Sequence, residues 1–159
     1  MFALDQASKY LVLRYIPEGE SWSFFPPLAR IFQFTHITNT GAAFGSFPGL
    51  GEILFKWVAL IVILAVLADI LFLHHLPTEY MGVRISLGLI IGGAMGNLMD
   101  RLIRPGAAVV DFIDIGFWPI GNIADFSIII GVAILAYYLW NEDQQKNEPL
   151  RLSNEGGET

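Results

Sequence analysis

Residues 92–116 read GGAMGNLMDRLIRPGAAVVDFIDIG. The stretch passes from a glycine-rich apolar pattern of helical period to an alternating β-branched one, and it carries Asp100, Arg101, Arg104, Asp111 and Asp114. Such a density of charge stands out, because 54% of the 159 residues are hydrophobic and only 15% are charged, against about 25% charged in an average soluble domain. The composition is that of a membrane protein.

Apolar runs at 53–73, 82–103 and 118–140 are each near the ~20 residues that cross a ~30 Å hydrocarbon core. The opening MFALDQASKYLVLRYI reads as a shortened first span, since at ~1.5 Å per residue it reaches only about 24 Å. It lacks the basic start and apolar core of a signal peptide. IFQFTHITNT (31–40) and VVDFIDIGF (109–117) read as strands of a small sheet at the membrane surface. If the second is extended, Asp111, Ile113 and Ile115 face one way and Phe112 and Asp114 the other. With alternating spans both strand segments leave the membrane on one side, and the loop 74–82 and the C-terminus lie on the opposite side. The tail 142–159 is polar and carries much of the net charge of −6, and it is read as disordered. The remaining 1–141 form one membrane-embedded domain.

Within the third span Gly88, Gly92 and Gly96 recur every four residues and Asp100 continues their stripe, with Gly93, Asn97 and Arg101 beside it. Small residues at this spacing let helices approach closely. Asp5 with Lys9, and Asp100 with Arg101, are either ion pairs that orient helices or members of a site. Asp111 and Asp125 have no basic neighbour at helical spacing, which marks them as functional carboxylates. Glu52 and Asp69 belong at the membrane interface, and His74 and His75 at the surface, with no third metal ligand near them.

Other chemistries lack their residues. There is no cysteine, no H-E-x-x-H and no G-x-S-x-G. Ser8 and Lys9 are adjacent on a helix and point apart, which argues against a Ser-Lys dyad. Two carboxyl groups held together do not easily both ionise, so one can take a proton from water while the other polarises a carbonyl. The rival is a small proton- or cation-coupled transporter using buried carboxylates as a relay. It predicts charges near mid-span and broken or repeated helices, whereas these charges cluster at helix ends.

LDQASK (4–9), NTGAAFG (39–45), GGAMGNLMDR (92–101), VVDFID (109–114) and NIAD (122–125) resemble, in order, the motifs of bacterial lipoprotein signal peptidase, signal peptidase II. The resemblance runs from residue 4 to about residue 140. It implies an all-α integral membrane protein with four transmembrane helices, the first shortened, and a small extracytoplasmic β-cradle. It implies an aspartic endopeptidase of the bacterial inner membrane, with its active site at the periplasmic or outer face. Such an enzyme cuts prolipoproteins before a diacylglyceryl-modified cysteine. The partners implied are lipid-modified prolipoproteins and membrane lipids, without nucleic acid, metal or cofactor. By motif match the catalytic pair is Asp111 and Asp125, while Asn39, Asn97, Arg101 and Asn122 line the substrate site and Asp5, Lys9 and Asp100 support it.

Three departures accompany the resemblance. The first helix begins almost at LDQ, which points to a start site further upstream. Gly121 stands where the family usually has phenylalanine. Basic residues are also more numerous on the proposed outer side, contrary to the positive-inside tendency.

Overall fold

The computed structural model describes residues 1–40 and 81–155, with positions 57, 61, 64, 65, 68 and 71 between them. The expected second span at 53–73, Glu52, Asp69, His74, His75 and most of NTGAAFG lie outside the described residues, apart from those isolated positions.

Helix α1, Phe2–Tyr15, ends where Ile16 turns extended ahead of Pro17, whose ring cannot be accommodated in a continuing helix. Strand β1 (Ser21–Trp22) and β2 (Gln33–Asn39) follow, joined through a single 3-10 turn at Pro26–Leu28. Helix α2 covers Met81–Ile103 and leads through a second 3-10 turn, Pro105–Ala107, into β3, Val109–Asp114. Helix α3 begins at Ile123 and runs to Glu155. The strands form one antiparallel sheet in the order β1-β2-β3.

Among the described residues two helices are long and apolar enough to cross a bilayer: Met81–Ile103 and Ile123–Glu142. The last span starts at residue 123 and not at 118 as hydropathy placed it. Pro119 and Gly121 precede the helix, Gly121 bridges to Ile113 of β3, and the cap at Asn122 sets the first turn. At its other end the helix continues into the polar segment from 142 that composition marked as disordered. Extending an existing helix adds a hydrogen bond for each residue fixed and requires no new nucleus.

Polarity is inverted relative to a water-soluble fold. Asp5, Lys9, Ser86, Asp100 and Asn122 are fully buried, while Ile85, Leu102, Ile130, Leu139 and Trp140 are exposed. Where the surroundings are hydrocarbon, large apolar side chains face outward and polar groups must find partners inside.

Among the described elements the most extensive packing is between α2 and α3. A Cβ at Gly93 would lie 2.5 Å from the Ala124 carbonyl oxygen, and one at Gly96 would lie 2.5 Å from Asp5 Oδ2 and 3.3 Å from the Ala124 Cβ. Higher up, Ser127 Oγ donates to the Leu89 carbonyl at 2.8 Å. The expected stripe is thus divided. Gly92 lies against Met1, Gly96 reaches both neighbouring helices, and Gly88 meets none of the described residues within 4 Å. The tightest approach to α3 includes Gly93, from the neighbouring row.

Candidate active site

The site is assembled at the N-terminus of α3, from a capping box. Asn122 is the N-cap: its Oδ1 accepts the Asp125 backbone N–H at 3.0 Å, and Asp125 Oδ2 accepts the Asn122 backbone N–H at 3.1 Å. The remaining face of Asn122 points at β3, where Nδ2 donates to Asp111 Oδ1 at 2.6 Å. One side chain therefore fixes the turn that carries Asp125 and contacts Asp111 directly.

Asn39 enters by way of a register shift. Gln33 is opposite Asp114 and Phe34 opposite Ile113, but Ile37 is opposite Asp111 and Asn39 opposite Val109. Continuing the first register would put Asn39 opposite Ala108, on the face of Val110. A one-residue slip exchanges the faces. The bulge thus brings Asn39 to the side of Val109 and Asp111, where its Nδ2 donates to Asp111 Oδ2 at 2.9 Å.

The expected alternation of β3 is also interrupted. Phe112 and Ile113 both donate their N–H to the Gly121 carbonyl, at 2.8 and 2.7 Å, and Ile113 packs on the cluster of Val12, Val110 and Phe112. Two donors on one acceptor mark a bulge, where neighbouring side chains no longer take opposite faces. Asp114 accepts instead from Gln33 at 2.8 Å, Thr35 at 3.0 Å and the Gly116 N–H at 3.0 Å.

Behind the aspartates lies a buried ionic junction. The Lys9 ammonium donates to Asp5 Oδ2 at 2.9 Å, Asp100 Oδ2 at 3.0 Å and Asn97 Oδ1 at 2.9 Å. Three donors meet three acceptors, the condition under which a buried charge is tolerated. Asp5 Oδ1 accepts the Ala124 N–H at 3.0 Å, satisfying a free donor of the first turn of α3. Asp100 Oδ2 also accepts the Val110 N–H at 3.1 Å, tying β3 to α2. Asn97 Nδ2 donates to Asp125 Oδ1 at 2.7 Å, and Asn97 Oδ1 receives Asn122 Nδ2 at 3.1 Å.

Asp5 and Lys9 pair as their i, i+4 spacing allows. Asp100 carries ion pairs to Lys9 and to Arg104, with Arg104 Nε at 3.2 Å. Residues four apart on a helix share a face, so Arg104 is legible at i, i+4 as a partner of Asp100 beside the neighbouring Arg101. Sequence reasoning also assigned no role to Gln6, whose Nε2 donates to Asp5 Oδ2 at 3.1 Å and to the Gly96 carbonyl at 3.0 Å. The Arg101 guanidinium lies near enough to Asp125, Asp111 and Asp100 to feel their charges.

Burial pushes the Asp111 carboxyl up to about 6, against the opposing effect of the Asn39 hydrogen bond and with further help from the charge of Asp125. Asp114 is held below the ordinary carboxylate value, chiefly by the Gln33 hydrogen bond. A carboxyl group near 6 exchanges its proton close to neutral pH, as acid–base catalysis requires. Asp125 is only half-buried and Asn39 is exposed, whereas Asp111 is buried.

Residues 1–141 match the family described as signal peptidase (SPase) II. The lipoprotein signal peptidase of Halothermothrix orenii is 42% identical over 142 residues, covering 89% of this chain and 90% of its own. That of Moorella thermoacetica is 40% identical over 139 residues, covering 87% of each chain. A bacterial membrane enzyme solved by the in meso method at 2.3 Å resolution superposes with a TM-score of 0.73 at 31% identity, over 91% of this chain and 85% of that one. With a family match from residue 1 to 141 and relatives at least 40% identical over most of their length, the chain belongs to the signal peptidase II family.

Proposed function

We propose that this chain is an aspartic endopeptidase that removes the signal peptide from diacylglyceryl-modified prolipoproteins, cutting just before the lipidated cysteine. The observation that carries the reading is the double hold of Asn122, which contacts Asp111 through Nδ2 and locks Asp125 through the capping box. Two carboxyl groups share one asparagine in front of a buried ionic junction.

In this mechanism one aspartate, ionised, takes a proton from a water molecule as the oxygen attacks the scissile carbonyl. The other, protonated, donates to the carbonyl oxygen. The tetrahedral intermediate collapses as the cysteine nitrogen leaves with a proton returned from the pair. Asp111, poised near 6, is suited to exchange that proton. Arg101 sets positive charge beside the aspartates, which keep one negative charge between them as the protons move, and Asn39 steadies Asp111 at the entrance.

The accompanying topology is four spans in the bacterial inner membrane, with the sheet and the aspartates at the outer face and both termini in the cytoplasm. Residues 1–141 make the enzyme and 142–159 its cytoplasmic tail. The test is incubation of the purified chain with a lipid-modified prolipoprotein, followed by mass analysis of the products. A new N-terminus at the lipidated cysteine supports the reading. An intact precursor, or cleavage elsewhere, overturns it.

A further inference from the structure

We infer that Lys9 is a positioning residue for cleavage: its buried ammonium fixes the carboxamide of Asn97 so that the N–H of that group faces Asp125, coupling α1 to the catalytic pair. The inference rests on the reading of Asp111 and Asp125 as that pair.

An asparagine side chain presents an acceptor on one side and donors on the other, and the two orientations fill the same space. The orientation must therefore be imposed by neighbours of fixed character. Lysine is such a neighbour, because an ammonium group donates and never accepts. With Lys9 Nζ 2.9 Å away, the near atom of Asn97 is its oxygen, and the far atom, 2.7 Å from Asp125 Oδ1, is its nitrogen. Asn122 is oriented independently by the Asp125 backbone N–H on its Oδ1, leaving its Nδ2 for Asp111 Oδ1. The two carboxamides then meet in a compatible sense, Asn122 Nδ2 to Asn97 Oδ1 at 3.1 Å.

The consequence is that all four oxygens of the pair face an N–H donor. Asp111 receives Asn122 and Asn39, and Asp125 receives Asn97 and the Asn122 backbone. Reversing Asn97 would set its oxygen against Asp125 Oδ1 and its nitrogen against the ammonium. Asn97 and Asn122, which the family resemblance places against substrate, thus have side chains committed to the aspartates.

Lys9 itself is anchored by Asp5 and Asp100 at 2.9 and 3.0 Å, so the lock is rigid. Among the described residues the charges that bear on Asp111 come from three helices, Lys9 on α1, Arg101 on α2 and Asp125 on α3, with Asn39 of β2 and Asn122 as polar neighbours. The Lys9 charge favours the ionised form of Asp111.

The experiment is a cycle of Lys9→Met, Asn97→Ala and the double variant, each purified and assayed on a lipid-modified prolipoprotein across pH, with melting temperature recorded. Lys9→Met is expected to lower kcat roughly 10- to 100-fold at similar KM, the scale of a small misplacement of catalytic groups. The limb of the pH profile set by Asp111 should move to higher pH. The double variant should turn over no more slowly than Asn97→Ala alone, because Lys9 acts through Asn97.

If removing the ammonium prevents folding, Asn97→Asp decides. It keeps an acceptor for Lys9 and loses the N–H for Asp125, so its turnover should collapse while its melting temperature holds. Effects of Lys9→Met and Asn97→Ala that multiply, or an unshifted pH limb, overturn the inference by making Lys9 a folding residue only. Wild-type turnover by Asn97→Asp overturns it as well. No cleavage by the unaltered chain overturns the aspartic reading and this inference together.

Discussion

Asp111 and Asp114 lie three residues apart on one strand and have opposite surroundings. Asp111 is 3% exposed, and burial lifts its carboxyl to about 6. Asp114 lies at the solvent-facing end, where three donors hold its carboxyl below the ordinary value of 3.8. The difference teaches that donor number does not decide the matter, since Asp111 also accepts two amide N–H groups. Desolvation outweighs them there, while at Asp114 water supplies what burial takes from Asp111. One carboxylate is stabilised in its charged form and serves the sheet. The other is kept from comfortable ionisation and suits proton transfer.

The strongest way to break the comparison is to remove the groups that exchange protons. On the proposed mechanism, in which the two act as one unit, Asp111→Asn and Asp125→Asn should each lower prolipoprotein cleavage at least ~100-fold, with the double variant no worse than either single. Initial rates for purified proteins of matched melting temperature check this. Appreciable turnover in either single variant would rule out the shared-proton mechanism. Activity against pH should be bell-shaped, with apparent values belonging to the pair.

A second, smaller effect concerns what holds the pair in place. Gly96→Leu should drive Asp5 off the Ala124 N–H and push α2 from α3, since a Cβ there already lies 2.5 Å from Asp5 Oδ2. Overpacking of this kind costs about 1–3 kcal/mol, so both melting temperature and turnover should fall. Gly93→Leu should behave alike, against the Ala124 carbonyl. Gly88→Ala meets none of the described residues within 4 Å and replaces glycine in a helix, so it should raise thermal stability slightly. Equal losses at all three positions in a detergent melting series would show that the stripe acts through helix propensity and not through contact.

How much of this was legible in the sequence varied with the kind of signal. The sheet was visible at both β2 and β3, because β-branched and aromatic residues alternate there. Asp111 and Asp125 stood out as carboxylates without basic neighbours, and the N-x-x-D spacing of a capping box is present in NIAD. Other features depend on tertiary placement. The bulge that swings Asn39 to Asp111, the reach of Lys9 to Asn97, and the contact of Gly93 with Ala124 join residues distant in sequence. No periodicity encodes them. The pairing of Asp100 with Arg104 was local and readable from i, i+4 spacing, yet the nearer Arg101 in the same motif obscured it.

The smallest effect expected sharpens the opening contrast. Asp114→Asn removes an acceptor from Gln33, Thr35 and Gly116 but touches neither Asp111 nor Asp125 among the contacts described, so cleavage should stay within about threefold of the unaltered chain. Its stability cost should be within about 1 kcal/mol, since the group is partly solvated and hydrogen bonds there compete with water. The two aspartates should then separate by sign. The folded-state value of Asp114 is lowered, so the stability it contributes is present above 3.8, the ordinary value of the unfolded chain, and is lost as pH falls through the folded value. Asp114→Asn should therefore melt lower than the unaltered chain near pH 6 and converge with it in acid. The folded-state value of Asp111 is raised, so its contribution is full below 3.8 and is lost as pH climbs to about 6. Asp111→Asn lacks that loss, and its melting temperature relative to the unaltered chain should rise between pH 4 and pH 7. Melting curves of both variants over that range make the test. Shifts of the same sign would mean that the two carboxylates differ in position along the strand and not in the balance between burial and donors.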